Sequence, residues 1–367
     1  MNSEAQHYKR IDRYILLKYL KTFLLALLLI ITIVITFDVS EHLDNFLSNH
    51  VPFSEVALRY YLNFIPGFTN LYSPLFIFIS VLFFTSKMAG NSEIIAILSS
   101  GISYRRMLRP YLHGSFIVAL VVLLFGCFLI PYNNRLLNEF EEQYIKSKTA
   151  SFYTNLHFQS APGTQIYADN YDVRRNTATH FCRDIHDATG ALVDRIEADA
   201  IVYDTASHQW YCNGYYHRTI VDGHESLTTL PYRTLVDLEL TPEDFNESSQ
   251  NIETMNIVQL VHHIKRERMR GTGNVKPAQI EFYQRLLTPL AIIIMTIIGV
   301  AISSRKTRGG IGLHLAIGIT IAFAFIIFMK VSTVFATNGH LSAFLAVLLP
   351  QVVFGVAAVF LVRSAPK

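Results

Sequence analysis

The fold is decided by the first long apolar run of the chain, Tyr19–Phe37, which reads YLKTFLLALLLIITIVITF. One α-helix needs about 20 apolar residues to cross a bilayer core, and flanking lysines such as Lys18 and Lys21 can reach back to the interface. The run is too long for the apolar region of a signal peptide, and no small-residue cleavage site follows it. We therefore expect it to remain as a membrane-spanning helix.

Five further apolar runs follow along the chain. They are Tyr61–Ser86, Tyr111–Ile130, Leu286–Ser303, Ile311–Met329 and Leu341–Val362. Pro131 closes the third run, and prolines interrupt the second and the last. The sequence predicts an α-helical polytopic membrane protein with six transmembrane helices.

The composition agrees with this prediction. Hydrophobic residues make up 51% of the chain and charged residues 16%, against about 25% charged residues in soluble domains. The net charge of +3, from 31 basic and 28 acidic residues, is too balanced for a protein that binds nucleic acid by neutralising phosphates. An aromatic content of 13% excludes a disordered chain.

Loop charges predict the orientation, because short loops rich in Lys and Arg stay in the cytoplasm. Four basic segments fall on one side of a six-span chain. Their residues are Lys9, Arg10, Arg13, Lys18, Lys21, Lys87, Arg105, Arg106, Arg109, Arg305, Lys306, Arg308, Arg363 and Lys367. The loop after the first run instead carries Asp38, Glu41 and Asp44, as expected of an outside loop.

The region between Pro131 and the fourth run is polar enough to fold in water. Short aromatic or β-branched segments separated by turns predict an all-β, jelly-roll-like domain there, and the apolar spacing from Ile257 predicts an amphipathic helix that ends at Gly271. The predicted domains are 1–131 with three spans, 132–281 with the β domain and its connecting helices, and 282–367 with three spans.

The chain has no phosphate-binding loop, nucleophile elbow or zinc-protease pattern, so we expect no enzymatic activity, no cofactor and no metal. The adjacent His262 and His263 fit solvated residues on the amphipathic helix better than metal ligands. Cys182 and Cys212 fit a disulfide and two unpaired thiols equally well, because parity alone decides nothing.

The loop between the second and third runs predicts a short helix, residues 93–100. Asn91 or Ser92 can cap its start, Glu93 lies favourably in its first turn, and Gly101 can end it. One interpretation is an ordinary interfacial connector. The other is a coupling helix that enters a cleft of a separate motor protein, where Glu93 would pair with a basic residue.

Several motifs together resemble the LptF/LptG permeases of lipopolysaccharide export, also called the YjgP/YjgQ type. They are Ile11–Ile15 before the first run, Ser92–Ala96 with Ser100–Ser103, Leu240–Phe245 after the β segments, and Arg285–Leu290 at the fourth run. The resemblance covers nearly the whole chain and is closer to LptG than to LptF.

The resemblance implies a permease subunit of an ABC-type exporter that extracts lipopolysaccharide from the outer leaflet of the inner membrane of a Gram-negative bacterium. The implied partners are an LptB-like ATPase dimer, a second LptF/LptG-type permease, and LptC-like and LptA-like β proteins in the periplasm. ATP hydrolysis would take place on the partner chain. The Glu93 helix, with Ser92 and Gly101, would then couple that ATPase to the lipid cavity.

A cavity for a phosphorylated glycolipid needs apolar walls and cations near its outer rim. Lys330 and Arg285 are the candidates, although both could simply extend to the headgroup region. The family is expected to place basic residues near the outer end of the first span, where this chain has Asp38, Glu41 and Asp44. These acids could bind bridging cations, face the partner, or reflect a lipid with fewer phosphates.

Gly312, Ala316 and Thr320 recur every four residues on the fifth span, a spacing that allows close helix approach. They could form a gate against the partner permease, or they could pack within one subunit. A lipoprotein-release permease fits less well, because it has four spans. The alternative from another class is a membrane-bound sensor or assembly scaffold with a ligand-binding β domain, which would need an output domain that the short cytoplasmic tails do not supply.

Overall fold

The computed structural model describes residues 2–145, 152–187, 189–221, 224–230, 234–236, 238, 240–242, 245, 252–270, 275–305, 307, 309–339 and 341–364. Lys306, Arg308 and Lys367, used for the orientation, lie outside this part of the chain, as do Gly271 and two residues of the Leu240–Phe245 motif, Glu243 and Asp244. The chain divides into two compact units, of which the first is Met1–Ile145, Glu253–Ile257 and Gln279–Lys367, and the second is Lys146–Ile252 and Val258–Ala278.

The first unit is helical. Its N-terminal part contains α1 (Asn2–Ser48), α2 (Phe53–Gly90), the short α3 (Glu93–Ser99) and α4 (Tyr104–Tyr144). Its C-terminal part contains α6 (Val275–Ser303, of which the first residues belong to the second unit), α7 (Gly310–Asn338) and α8 (Ala343–Arg363). Among the described residues, six helices are long and apolar enough to cross a membrane, so the prediction of six spans is confirmed.

Most of these helices extend beyond the apolar runs, and α4 does so through a proline. Pro131 was expected to close the third span, but the helix continues through it to Tyr144. A π-helical stretch, Phe125–Leu129, ends two residues before the proline. The wider turn of that stretch makes room for a residue that cannot donate a backbone hydrogen bond.

Apolar packing joins α1, α2 and α4 around Tyr19, Phe84 and Tyr111. The Phe84 and Tyr111 rings stack 5.4 Å apart, and Tyr19 meets both edge-on. A second cluster joins α2, α6, α7 and α8 around Phe78, Leu82 and Met295. α2 therefore contributes to both cores of the helical unit.

The second unit contains an antiparallel sheet. Its strands are β1 (Phe152–Ala161), β2 (Thr164–Asp172), β3 (Thr177–His186), β4 (Leu192–Asp204), β5 (Gln209–Val221), β6 (His224–Leu230) and β7 (Thr234–Val236). The first six pair in chain order, and β7 pairs with β5. An inserted antiparallel β domain was predicted and is confirmed, and the described strands connect as a meander.

A line across the sheet interrupts the usual alternation of buried and exposed side chains. Buried residues lie three positions apart across it, as with Ala178 and Phe181 on β3 or Ala198 and Ile201 on β4. The residues on the line are Asn155, Asp169, His180, Asp199 and Gly214, and the strand pairing skips them. Asn155, His180 and Gly214 have positive φ. At this line the side chains that point into the core shift by one position along the strand.

Phe245 fills the core beneath this sheet. Its ring stacks on Tyr171 at 4.8 Å and lies 5.4 Å from Trp210, and its side chain is buried. The Trp210 indole donates a hydrogen bond to the Leu240 carbonyl at 2.8 Å. The Leu240–Phe245 motif thus completes the β core.

Cys182 and Cys212 are unpaired, which decides between the two alternatives. Cys182 lies opposite Glu197 of β4 and Cys212 lies opposite Ile201 of β4, so a whole strand separates them. Burial raises the pKa of each thiol to about 12.

The predicted amphipathic helix is α5 (Ile257–Arg270). Leu260 is fully buried, whereas Val261 is about half exposed. His262 is exposed, but His263 is buried, so the prediction that both histidines are solvated is wrong for His263. Burial lowers the pKa of His263 and favours its neutral form.

Candidate functional site

The short helix α3 begins and ends almost as predicted. Ser92 precedes it with φ of 59° and makes no side-chain capping hydrogen bond, so the expected serine cap is absent. At the other end Gly101 has φ of 87°, and its N–H donates to the Leu98 carbonyl at 3.1 Å. This left-handed backbone conformation favours glycine, and it ends the helix.

Glu93 is bound by side chains of α1. Tyr14 donates its hydroxyl to Glu93 Oε2 at 2.9 Å, and Lys18 Nζ lies 3.1 Å from the same oxygen and 3.3 Å from Oε1. Burial acts to raise the pKa of Glu93, but the hydrogen bonds from Lys18, Tyr14 and Asn91 outweigh it, so the pKa lies below the ordinary value. The carboxylate is therefore ionised and paired within its own chain.

Two faces of α3 differ in burial. Ile94 is buried in the cluster that also contains Ile15 and Tyr104, and Ile97 and Leu98 pack against that cluster. Ile95 is about half exposed. α3 thus exposes Ile95 as its one large apolar side chain, while its other face packs with α1 and α4.

A cavity of about 370 Å³ lies inside the helical unit. Its apolar wall includes Phe64, Phe68, Leu71, Tyr72, Pro74, Ile130, Leu137, Ala291, Phe325, Ile326 and Met329, and its polar groups belong to Asn70, Asn134, Glu253, Glu281, Gln284, Arg285, Thr288, Lys330 and Gln351. The volume falls within the usual range for small-molecule and cofactor pockets.

Both predicted lipid-binding cations line this cavity, but their surroundings differ. The Arg285 guanidinium donates to Glu281 Oε1 at 2.7 Å, to the Met255 carbonyl at 2.6 Å and to the Glu253 carbonyl at 3.3 Å. Only 8% of Arg285 is exposed. Its side chain therefore does not simply extend outward as first considered, and it connects α6 to the 253–255 segment.

Lys330 is the more available cation. It is exposed, and its ammonium group has no hydrogen bond or ion pair within the described ranges. Of the described acids, Glu253 is close enough for its pKa to be affected by Lys330, although burial dominates and raises the pKa of Glu253. An ammonium group without a fixed partner can still bind an anion.

Sequence reasoning missed Asn70, Glu253 and Gln351 as cavity residues. Gln351 is 1% exposed, and its Oε1 and Asn70 Oδ1 are buried without a hydrogen-bond partner among the described residues. No local pattern signals them, because each meets the cavity only through packing of distant helices.

The small-residue stripe lies on the exposed side of α7. Gly312, Ala316 and Thr320 are exposed, and open space surrounds Gly312. The alternative of packing within the subunit is therefore wrong for these three residues. The close approach uses Gly318 instead, where an added Cβ would overlap the Leu82 side chain of α2.

The acids after the first span also separate into two kinds. Asp38 accepts hydrogen bonds from Tyr60 at 3.2 Å and Tyr61 at 2.9 Å, so aromatic hydroxyls of α2 hold it. Glu41 and Asp44 are exposed. No group of His, Cys, Asp or Glu in the described part of the chain is arranged to hold a metal ion.

Comparison with known proteins identifies the family. The family model described as lipopolysaccharide export system permease LptF/LptG matches residues 13–364. Comparison with curated proteins gives no match. The family model covers LptF and LptG together, so the closer similarity to LptG stays a prediction. The match spans nearly the entire sequence, both halves of the helical unit and the inserted β domain, and the chain therefore belongs to the LptF/LptG family of lipopolysaccharide export permeases.

Proposed function

We propose that this chain is one of two permease subunits of an ABC-type exporter, in which a separate LptB-like ATPase dimer supplies the energy. The subunit extracts lipopolysaccharide from the outer leaflet of the inner membrane of a Gram-negative bacterium. Family membership supports the class of protein. The observation that carries the proposal is the unpaired ammonium of Lys330 in a largely apolar cavity of the helical unit, since acyl chains and phosphates require that combination.

Lys330 contacts a lipid phosphate in this proposal. Arg285 lines the same cavity and adds positive charge beside it, while its hydrogen bonds keep the 253–255 segment in place. The guanidinium is paired with Glu281, but it still attracts an approaching anion, although less strongly than an unpaired guanidinium would.

The ATPase acts on α3. Glu93 is required for this coupling, and Ser92 and Gly101 set the two ends of the helix that receives the displacement. The half-exposed Ile95 is a suitable contact for a cleft on the ATPase, because isolated apolar side chains on a short exposed helix gain from burial.

The second permease packs against the exposed stripe Gly312, Ala316 and Thr320. Small side chains permit close helix contact in lipid, and large exposed apolar residues flank the stripe, among them Ile317, Ile319 and Phe323. The stripe itself carries only small side chains, so little interlocking there opposes opening and closing of the contact.

The β domain lies in the periplasm and passes the lipid to LptC-like and LptA-like β proteins. Among the described strands, β1 has one neighbour, β2. Its other edge can accept a strand from a second sheet, which is a common mode of β-protein association.

Purification of the chain from native membranes tests the proposal directly. We expect an ATPase and a second permease to accompany it, and we expect lipopolysaccharide to stimulate ATP hydrolysis by the complex. Isolation with a signalling partner and no ATPase would instead favour a sensor or scaffold.

The coupling helix has its own test. Glu93→Ala should lower lipopolysaccharide transfer per ATP while the complex still assembles. Glu197→Ala, at an exposed position of β4, is the control. Normal transfer by the Glu93→Ala complex would remove α3 coupling from the proposal.

A further inference from the structure

The carboxylate of Glu93 already accepts hydrogen bonds from three side chains of its own chain. Its Oε2 accepts from Tyr14 and Lys18, and its Oε1 accepts from Lys18 and from Asn91 at 3.4 Å. A carboxylate offers about four lone-pair positions. A basic residue of another protein that approached Glu93 would therefore compete with these donors.

Lys18 is oriented by more than this ion pair. Its ammonium donates to the Tyr14 hydroxyl at 2.8 Å and lies 4.9 Å from the centre of the Tyr14 ring. Tyr14 and Lys18 are four residues apart on α1, so they share one face of the helix. Three side chains from two helices thus form one closed hydrogen-bonded group.

A second connection joins α1 to the far side of the same loop. Arg106, in the first turn of α4, donates to both oxygens of Asp12 at 3.0 and 2.6 Å. The Ser103 hydroxyl accepts from the Arg106 backbone N–H and fixes the start of α4. The α3 loop is therefore attached to α1 at both of its ends, and bidentate pairs of this kind hold a defined geometry.

Apolar packing lies beside the two ion pairs. Ile15 and Tyr19 of α1 are fully buried in the same cluster as Ile94 of α3. These charged and apolar contacts hold α3 against α1. Either sliding or separation of the two helices would break several contacts at once.

α1 itself is a single helix of 47 residues, about 70 Å long at the usual rise per residue. Along its membrane span few side chains are fully buried, and the packing of Tyr19 and Phe23 against α2 and α4 lies toward its N-terminal end. Near its other end Asp38 is bound by Tyr60 and Tyr61 of α2.

We infer that Lys18 and Tyr14 are positioning residues that make α1 move with α3, so that displacement of the α3 loop is carried along α1 through the membrane. This inference rests on the proposed function, because it requires that a motor act on α3. Glu93 then acts inside the chain as the link between α3 and α1.

Charge reversal separates this inference from its alternatives. The intact complex is reconstituted in vesicles that contain lipopolysaccharide, and both ATP hydrolysis and transfer to a periplasmic acceptor protein are measured. With Lys18→Glu, transfer per ATP should fall about fivefold or more, because two carboxylates then face each other. Lys18→Glu combined with Glu93→Lys should recover most of the transfer, and Lys18→Arg should retain it.

Lys21→Glu is the matched control, because Lys21 lies on the same helix, is exposed and belongs to neither connection. Normal transfer with Lys18→Glu, or a double reversal no better than Glu93→Lys alone, would overturn the inference. A wild-type complex that hydrolyses ATP without any transfer would instead contradict the proposed function.

A covalent link gives the decisive result. Lys18→Cys and Glu93→Cys are combined after Cys127, Cys182 and Cys212 have been replaced by serine or alanine, and the pair is bridged with a short bis-maleimide. If α1 and α3 move together, bridging restores the transfer that the two substitutions remove. If they separate during the cycle, bridging leaves transfer abolished, and the inference is wrong.

Discussion

Gly318 of α7 contacts Leu82 of α2 so closely that a methyl group on the glycine would overlap the Leu82 Cδ1 atom. Leu82 is fully buried and packs in the cluster that joins α2, α6, α7 and α8. The leucine cannot rotate away without disturbing Phe78 and Ala322 in the same cluster. The glycine therefore determines how closely these two spans pack.

Gly318→Leu should destabilise the helical unit by roughly 1–3 kcal/mol, the usual cost of overpacking a filled core. The measurement is thermal unfolding of the purified chain in detergent. Gly312→Leu, on the exposed side of the same helix, should leave the unfolding temperature nearly unchanged. Equal effects of the two substitutions would show that helix propensity, not the contact with Leu82, is responsible.

The two glycines show what sequence could and could not predict in the membrane. The apolar runs located every span, because a helix needs about 20 consecutive apolar residues to cross a bilayer. The four-residue spacing of Gly312, Ala316 and Thr320 identified a helix face, but it could not tell which neighbour covers that face. Burial at Gly318 depends on α2, more than 200 residues earlier in the chain, and no local pattern contains it.

Phe245→Ala should destabilise the β domain by about 3–5 kcal/mol, as expected when a fully buried phenylalanine is removed. The ring contacts Tyr171, Trp210, Phe158 and Phe181, so the loss leaves a cavity in the centre of the core. Trp210 is the only tryptophan of the chain, and its fluorescence in the intact protein reports urea unfolding of this domain alone.

Leu227→Ala is the control for that measurement, because Leu227 of β6 is largely exposed. It should shift the unfolding midpoint little. A midpoint for Phe245→Ala that matches the wild type would mean that the core can close over the missing ring.

The sequence predicted an all-β domain, but it could not show which face of each strand is buried. Short aromatic or β-branched segments indicated the strands, since such residues favour extended chain. The three-residue step between Ala198 and Ile201 breaks the alternation from which a face is assigned. The signal was present in retrospect, because Gly214 stands on the same line with positive φ, but one glycine does not reveal a line across five strands.

The Asp184–Arg195 pair gives a pH dependence with a definite sign. Arg195 donates to both carboxylate oxygens at 2.7 and 2.6 Å, and this bonding holds the pKa of Asp184 below its ordinary 3.8. A carboxyl whose pKa is lower in the folded state stabilises the fold above its unfolded pKa and loses that contribution as the pH falls through the folded value.

Asp184→Asn should therefore lower the free energy of unfolding by about 1 kcal/mol near neutral pH. The difference from the wild type should stay constant down to about pH 5 and shrink once the pH falls below the ordinary pKa. Urea unfolding followed by Trp210 fluorescence at several pH values measures it. A difference that grows on acidification would contradict the assigned pairing.

The helix α3 shows the same limit of sequence reasoning. The residue types around Glu93 indicated a short helix, and Gly101 indicated its end, because a left-handed glycine is a local signal; the serine cap expected at its start is absent. The partner of Glu93 could not be inferred, since Lys18 is separated from it by 75 residues and belongs to a different helix. The cavity residues Asn70 and Gln351 escaped for the same reason.

Lys330→Glu should lower photo-crosslinking of lipopolysaccharide to the cavity about threefold or more, because a carboxylate repels the phosphate that the ammonium attracts. A photoreactive residue at Ile326, which lines the cavity beside Lys330, captures the lipid in native membranes. Lys330→Arg keeps the charge and should keep most of the yield. Thr337→Glu, exposed two turns further along α7, adds the same charge away from the cavity and should leave the yield unchanged. Equal yields from Lys330→Glu and wild type would mean that Lys330 only reaches the headgroup region, and the phosphate would then have to be bound by other cations.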